Sequence, residues 1–272
     1  ESQEWKLPLL YLCRRELPDS GGPGRYRGGL TALAAMTPYR AQSLIWKSLN
    51  TAGVEVANAF GIDGGYPGAG SQVSVVRQSQ VWERLREGAV PLSYEDFGGR
   101  VEHLPSKSDG RLDHGDVFVF YPSGGGGFGD PLSRDPELVR RDVVRGAVSP
   151  EGARRHYGVV LGPDGAVDVA ATERERAERL RQRLDGAARP ADAARGDEGR
   201  DVRQVGEYLE EATTANGRVV RCRRCRHVFC SAGDDARASA IRREQPLGAA
   251  GPWLALPWAG ESPHFVLVES IC

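Results

Sequence analysis

The residues best suited to chemistry lie near the C-terminus. Cys222-Arg223-Arg224-Cys225 is a CxxC motif. Two thiolates at that spacing can face one Zn²⁺ from a tight turn, in a structural rather than a catalytic site. A predicted strand over 218–221 leads into the motif, as in zinc ribbons. The five cysteines are Cys13, Cys222, Cys225, Cys230 and Cys272. An odd count without a visible secretory signal argues against a disulfide framework, and the bias toward the end points to a local metal site. Cys272 follows a strand-like run over 265–271 and is expected to be the first ligand of a second pair lying beyond it; His227 and Cys230 are the nearby alternatives. A reduced, metal-free CxxC or a thioredoxin-like redox pair would share the spacing. The redox pair needs a following helix, which Arg226-His227-Val228-Phe229 does not supply.

Two further groups bear on function. Gly124 to Gly127, then Phe128-Gly129-Asp130-Pro131, follow a predicted strand. Such a loop cradles phosphate when it opens a helix, but the Lys and Ser/Thr of a P-loop are missing, so Gly125 and Gly126 read first as a close-packed turn and second as phosphate contacts. Arg25 and Arg27 can clamp a carboxylate or phosphate bidentately, or pair with a loop carbonyl. His103, His114, His156, His227 and His264 show no paired ligand spacing, and Asp113-His114-x-Asp116 reads as a hydrogen-bonded turn. There is no GxSxG, and no triad can be picked out.

These residues must be held by an α+β chain. Residues 1–130 form a β-rich, Gly-punctuated body with strands near 7–12, 72–77 and 116–121, and 35 of the 272 residues are Gly, far above the roughly 7% of average chains. Residues 131–184 read as a short helical segment. Asp135-Pro136-Glu137 and Ser149-Pro150-Glu151 are N-terminal signatures, a small hairpin occupies 159–167, and a third helix runs over 169–184. Its dense Glu and Arg read as a solvated face. Residues 185–205 read as a flexible linker, and 206–272 as a small, truncated zinc-ribbon-like module. The net charge of −1 gives no field for nucleic acid, and no run of apolar residues is long enough to span a membrane. The chain starts at Glu1 instead of Met, which reads as a fragment or processed chain with its natural start upstream.

The segment Pro18-Asp19-Ser20-Gly21-Gly22-Pro23-Gly24-Arg25-Tyr26-Arg27-Gly28-Gly29 resembles the DSGGxGxxRGG region of the hydantoinase B/oxoprolinase family. Residues 124–131, Arg134-Asp135-Pro136, Tyr157-Gly158-Val159-Val160-Leu161, and Asp168 with Thr172 and Arg174 fit the same family in order and spacing, over roughly residues 5–180. The resemblance implies the C-terminal part of a cytoplasmic subunit working with a hydantoinase A-type ATP-binding subunit on a small-molecule substrate, with no nucleic-acid or membrane partner. The implied reaction is ATP-dependent hydrolysis of a hydantoin, oxoproline or lactam, or carboxylation as in the acetone and acetophenone carboxylases. Its chemistry is phosphorylation of an amide or enol oxygen followed by attack on the activated centre. ATP and a divalent metal are expected in the complete complex and not in this fragment. The family's His/Asp metal and substrate residues lie in the portion N-terminal to this one, so no catalytic residue transfers and the fragment alone is expected to be inactive. Residues 220–230 are similar to the start of the zinc-containing gamma subunit of acetone carboxylase, which implies zinc at Cys222, Cys225 and Cys272. The alternative is a non-catalytic zinc-binding scaffold that holds the complex together.

Overall fold

The computed structural model describes residues 4–49, 53–54, 57–185, 199–215, 217–254 and 266–271. The first half is strand-rich: β1 (Leu9–Glu16), β2 (Ala32–Pro38), β3 (Ser43–Ser48), β4 (Gln72–Arg77), β5 (Arg100–Leu104), β6 (Ser108–Asp113) and β7 (Val117–Tyr121), with short helices α1 (Val81–Arg86) and α2 (Tyr94–Phe97) between β4 and β5. Five strands make an antiparallel sheet in the order β1-β2-β7-β4-β5. Period-2 alternation fixes its faces. Val117, Val119 and Tyr121 of β7 join Leu12, Leu33, Val76, Val81 and Phe97 in the main core. Phe118 turns to the other face and packs on Trp46 of the β3–β6 ribbon, with ring centroids 5.3 Å apart. The Asp113–Asp116 stretch is a hydrogen-bonded turn, in which the Asp116 carboxylate accepts from Asp113 N (3.0 Å), Gln78 N (3.0 Å) and Arg77 Nη1 (2.7 Å).

Helices α3 (Pro136–Val144), α4 (Pro150–Tyr157) and α5 (Val169–Leu184) follow. Each begins on a side-chain cap: Asp135 accepts from Glu137 N, Ser149 from Gly152 N, and Asp168 from Ala171 N. Val139, Val148, Ala153, Tyr157 and Val159 form a second core between them. The α5 face read from sequence as solvated is only partly so. The Arg183 side chain is 14% exposed because it reaches back to Asp130 with two bonds of 2.7 and 3.0 Å.

The last part holds β8 (Arg200–Gln204), β9 (Leu209–Thr214), β10 (Gly217–Cys222) and β11 (Val228–Ser231) in one sheet, order β11-β10-β9-β8, and β12 (Ile241–Pro246) paired with β13 (Val266–Ile271) in a separate ribbon. Three expectations change here. Residues 200–204, assigned to the linker, form an edge strand against β9. The remainder of the linker lies largely outside the described residues. The run leading to Cys272 pairs with β12 and not with the strands flanking the CxxC motif, so a single zinc-ribbon sheet is not formed. Nor does this part stand apart from the body. Trp253 Nε1 donates to Pro18 O (2.7 Å), its ring meets Tyr121 edge-on at 5.6 Å, and it packs against the main core.

Candidate functional site

Three glycine-rich segments far apart in sequence interlock beside the main sheet. They run from Ser20 to Gly29, from Ala59 to Ala69 and from Gly124 to Gly129. Main-chain hydrogen bonds join them: Gly22 N to Gly125 O (2.8 Å), Gly125 N to Gly29 O (2.9 Å), Tyr66 N to Pro23 O (2.7 Å), Gly127 N to Tyr66 O (2.9 Å) and Ile62 N to Gly127 O (3.0 Å). Backbones this close leave no room for side chains. A Cβ on Gly28 would overlap the Gly125 carbonyl, and one on Gly22 would lie 2.6 Å from Gly127 N. None of Gly124 to Gly127 has a positive φ, so contact distance and not backbone hand demands glycine at Gly126. The loop does not open an α-helix; a single 3₁₀ turn over Pro131–Ser133 follows.

The arginines beside this core have protein partners. Arg25 pairs with Glu207 and lies over the Tyr26 ring at 5.6 Å. Arg27 Nε lies 3.3 Å from Asp142, its Nη1 donates to Gly28 O (2.7 Å), and Arg134 shares the same Asp142 carboxylate at 2.8 Å. Asp19 stands at φ 59° and accepts Ser149 N at 2.9 Å, tying the first glycine segment to α4.

The CxxC segment forms a hydrogen-bonded turn. Cys222 N donates to His227 O (2.8 Å), Arg226 N to Cys222 O (3.0 Å), and Arg224 N points at Cys222 Sγ (3.4 Å). Arg226 takes the left-handed conformation (φ 62°) that closes the turn. Cys222 is buried and Cys225 exposed. His227 stacks edge-on against Phe229 at 5.0 Å, and Cys230 Sγ donates to Asp234 O at 3.6 Å, which turns both to other uses. Among the described residues no three His, Cys, Asp or Glu side chains gather closely enough to hold a metal ion. Cys272 and His264 lie outside the described residues. The CxxC turn by itself could offer a metal no more than two thiolates, Cys222 and Cys225.

Sequence reasoning passed over a cluster of cations. Arg155, Arg179, Arg183 and Arg243, distant in sequence, converge around one cavity beside His156.

A family model described as Hydantoinase B/oxoprolinase matches residues 1–131. Among characterised relatives, the chain is 30% identical over 200 residues to the acetone carboxylase alpha subunit of Xanthobacter autotrophicus, covering 66% of this chain and 26% of that one. It is 31% identical over 189 residues to the caprolactamase subunit beta of Pseudomonas jessenii, covering 65% and 27%. A nucleotide-free structure of acetone carboxylase superposes with a TM-score of 0.58 at 28% identity, over 69% of this chain and 27% of that one. The ATP-dependent caprolactamase structure from P. jessenii superposes with a TM-score of 0.50 at 26% identity, over 64% and 27%. The chain thus spans about a quarter of the length of the curated relatives it matches. Among the described residues no helix is long and apolar enough to cross a membrane.

Proposed function

We propose that this chain is the C-terminal region of a hydantoinase B-type subunit in an ATP-dependent, multisubunit enzyme, and that the enzyme carboxylates a small ketone. One observation carries the reading: two of the motifs that resemble the family, residues 18–29 and 124–131, meet in the interlocked glycine core, while a further region bearing a CxxC turn is docked on the main core through Trp253. In this reading residues 9–184 shape and brace the subunit, and no catalytic residue is assigned among them. The partner is an ATP-binding subunit of hydantoinase A type. Cys222 and Cys225 hold a structural zinc together with ligands outside the described residues, Cys272 among them. Lactam or hydantoin hydrolysis by the same complex is the nearest rival.

Nucleotide turnover by the assembled complex separates the two. Under carboxylation, ATP consumption with a ketone requires bicarbonate. ATP consumption with a lactam or hydantoin and no bicarbonate would overturn it. A second reading, in which residues 199–271 serve assembly alone, is favoured by Tyr208 OH meeting Asp130 N (3.2 Å) and by the Trp253 anchor. It predicts that Trp253→Ala lowers the yield of complex and leaves turnover per assembled complex intact.

A further inference from the structure

A cavity of about 200 Å³ lies where α4 and α5 meet β12. Arg155 comes from α4, Arg179 and Arg183 from α5, and Arg243 from β12, so three elements aim guanidinium groups at one space. The carboxylates nearby do not line it. Asp130 grips Arg183, Glu175 grips Arg179 at 2.8 Å, and Glu269 lies 3.7 Å from Arg243 and 4.0 Å from Arg183. Glu269 is itself committed, accepting from Tyr66 OH and from Gln245 Nε2, both at 2.6 Å. These acids orient the arginines while leaving the cavity wall cationic. The Arg155 guanidinium has no partner among the described residues. His156 lies on the same wall. It is 6% exposed, and no hydrogen bond reaches its ring from the described residues.

His156 lines the cavity with no partner for its ring among the described residues, which leaves a ring nitrogen free to bond to an occupant. Three guanidiniums with carboxylates beside them, and an exposed fourth at Arg155, present several N–H donors and no acceptor. Together they are complementary to a compact, acceptor-rich anion. We propose that this cavity binds a small oxyanion, a phosphate or a carboxylate-type anion such as bicarbonate, held by Arg155, Arg179, Arg183 and Arg243 with one nitrogen of His156 completing its shell. The site joins α4 and α5 to the C-terminal region through β12, and it stands whether or not the enzyme is a carboxylase.

Calorimetric titration of the 272-residue chain with inorganic phosphate, and separately with bicarbonate, tests the site at fixed ionic strength. One arm should show saturable binding; the tighter arm identifies a tetrahedral or planar anion. Arg155→Gln and Arg243→Gln should each weaken that binding by about tenfold, through loss of a charge-assisted donor. Arg140→Gln, at an exposed pair with Glu137 elsewhere, should leave it unchanged. Absence of binding in both arms, or binding indifferent to both cavity substitutions, overturns the proposal. Should either variant lose its folded circular dichroism spectrum, the unaltered chain still decides. The ring resonances of His156 must move as the anion saturates, and fixed resonances overturn the site.

Discussion

Gly126 and Phe60 meet so closely that a side chain on the glycine would overlap the carbonyl oxygen of the phenylalanine and lie 2.7 Å from its carbon. At Gly125 the nearest atom to such a Cβ is Gly29 N, at 2.9 Å, and at Gly29 there is open space. Substitution by Ala should therefore be graded. Gly126→Ala should cost several times the ~1 kcal/mol of an ordinary Gly/Ala difference, Gly125→Ala less, and Gly29→Ala about ±0.5 kcal/mol or less. Urea denaturation midpoints read the order, and three equal midpoints would reduce the loop to a spacer.

Asp19 supplies the bond that the Ser149 N–H would otherwise seek from water. Asp19→Ala should destabilise the chain by about 1–2 kcal/mol, with faster amide exchange concentrated in α4. Unchanged exchange in α4 would show that the contact is dispensable.

The His156 imidazole is depressed to about 4 by burial, reinforced by Arg155 and Arg179 and opposed by Asp19. Its folded value lies below its unfolded value of about 6.5, so the unfolded chain takes up the proton first. The associated stability is fully present above pH 6.5 and is lost as pH falls toward 4, by at most about 3 kcal/mol. In buffer free of phosphate and carboxylate, the denaturation midpoint of the natural chain should fall through this window more than that of His156→Gln. Parallel pH profiles would contradict the assignment.

Metal analysis of the subunit within its complex should find one zinc per protomer, and Cys222→Ser should release it. The CxxC turn lies outside the main core, so the five-stranded sheet should keep its unfolding midpoint. Zinc-free complex, or a Cys222→Ser variant in which the sheet also melts, would remove the metal from the proposal.

The sequence made some of this architecture legible. The β-branched and aromatic run over Val117–Tyr121 and the Asp135 and Ser149 caps are local signals, and the corresponding strand and helices form. Helix α1 has Gln80 at its N-cap position with no side-chain cap bond, and gave no such signal. Ribbon β3–β6 was hidden because its residue types do not follow its burial: Ile45 is apolar yet 90% exposed, and Ser48 is polar yet buried. The purpose of the glycines could be narrowed to close approach or positive φ, but choosing between these required knowing which distant segment faces which. Arg183 read as part of a solvated face and Arg243 drew no reading, since nothing in a linear sequence shows that α5 and β12 share a cavity.

The interlocked glycine core also sets an order of events in folding. Its segments are held together by bonds such as Gly22 N to Gly125 O and Ile62 N to Gly127 O, spanning large sequence separations. Such contacts form only after long loops have closed, which slows folding relative to chains of local contacts. During synthesis, residues 20–29 must wait on the ribosome surface until the 124–129 segment has emerged. Until then the glycine backbone has no permanent partner for its hydrogen bonds, and an early strand pairing elsewhere is the error the nascent subunit must avoid.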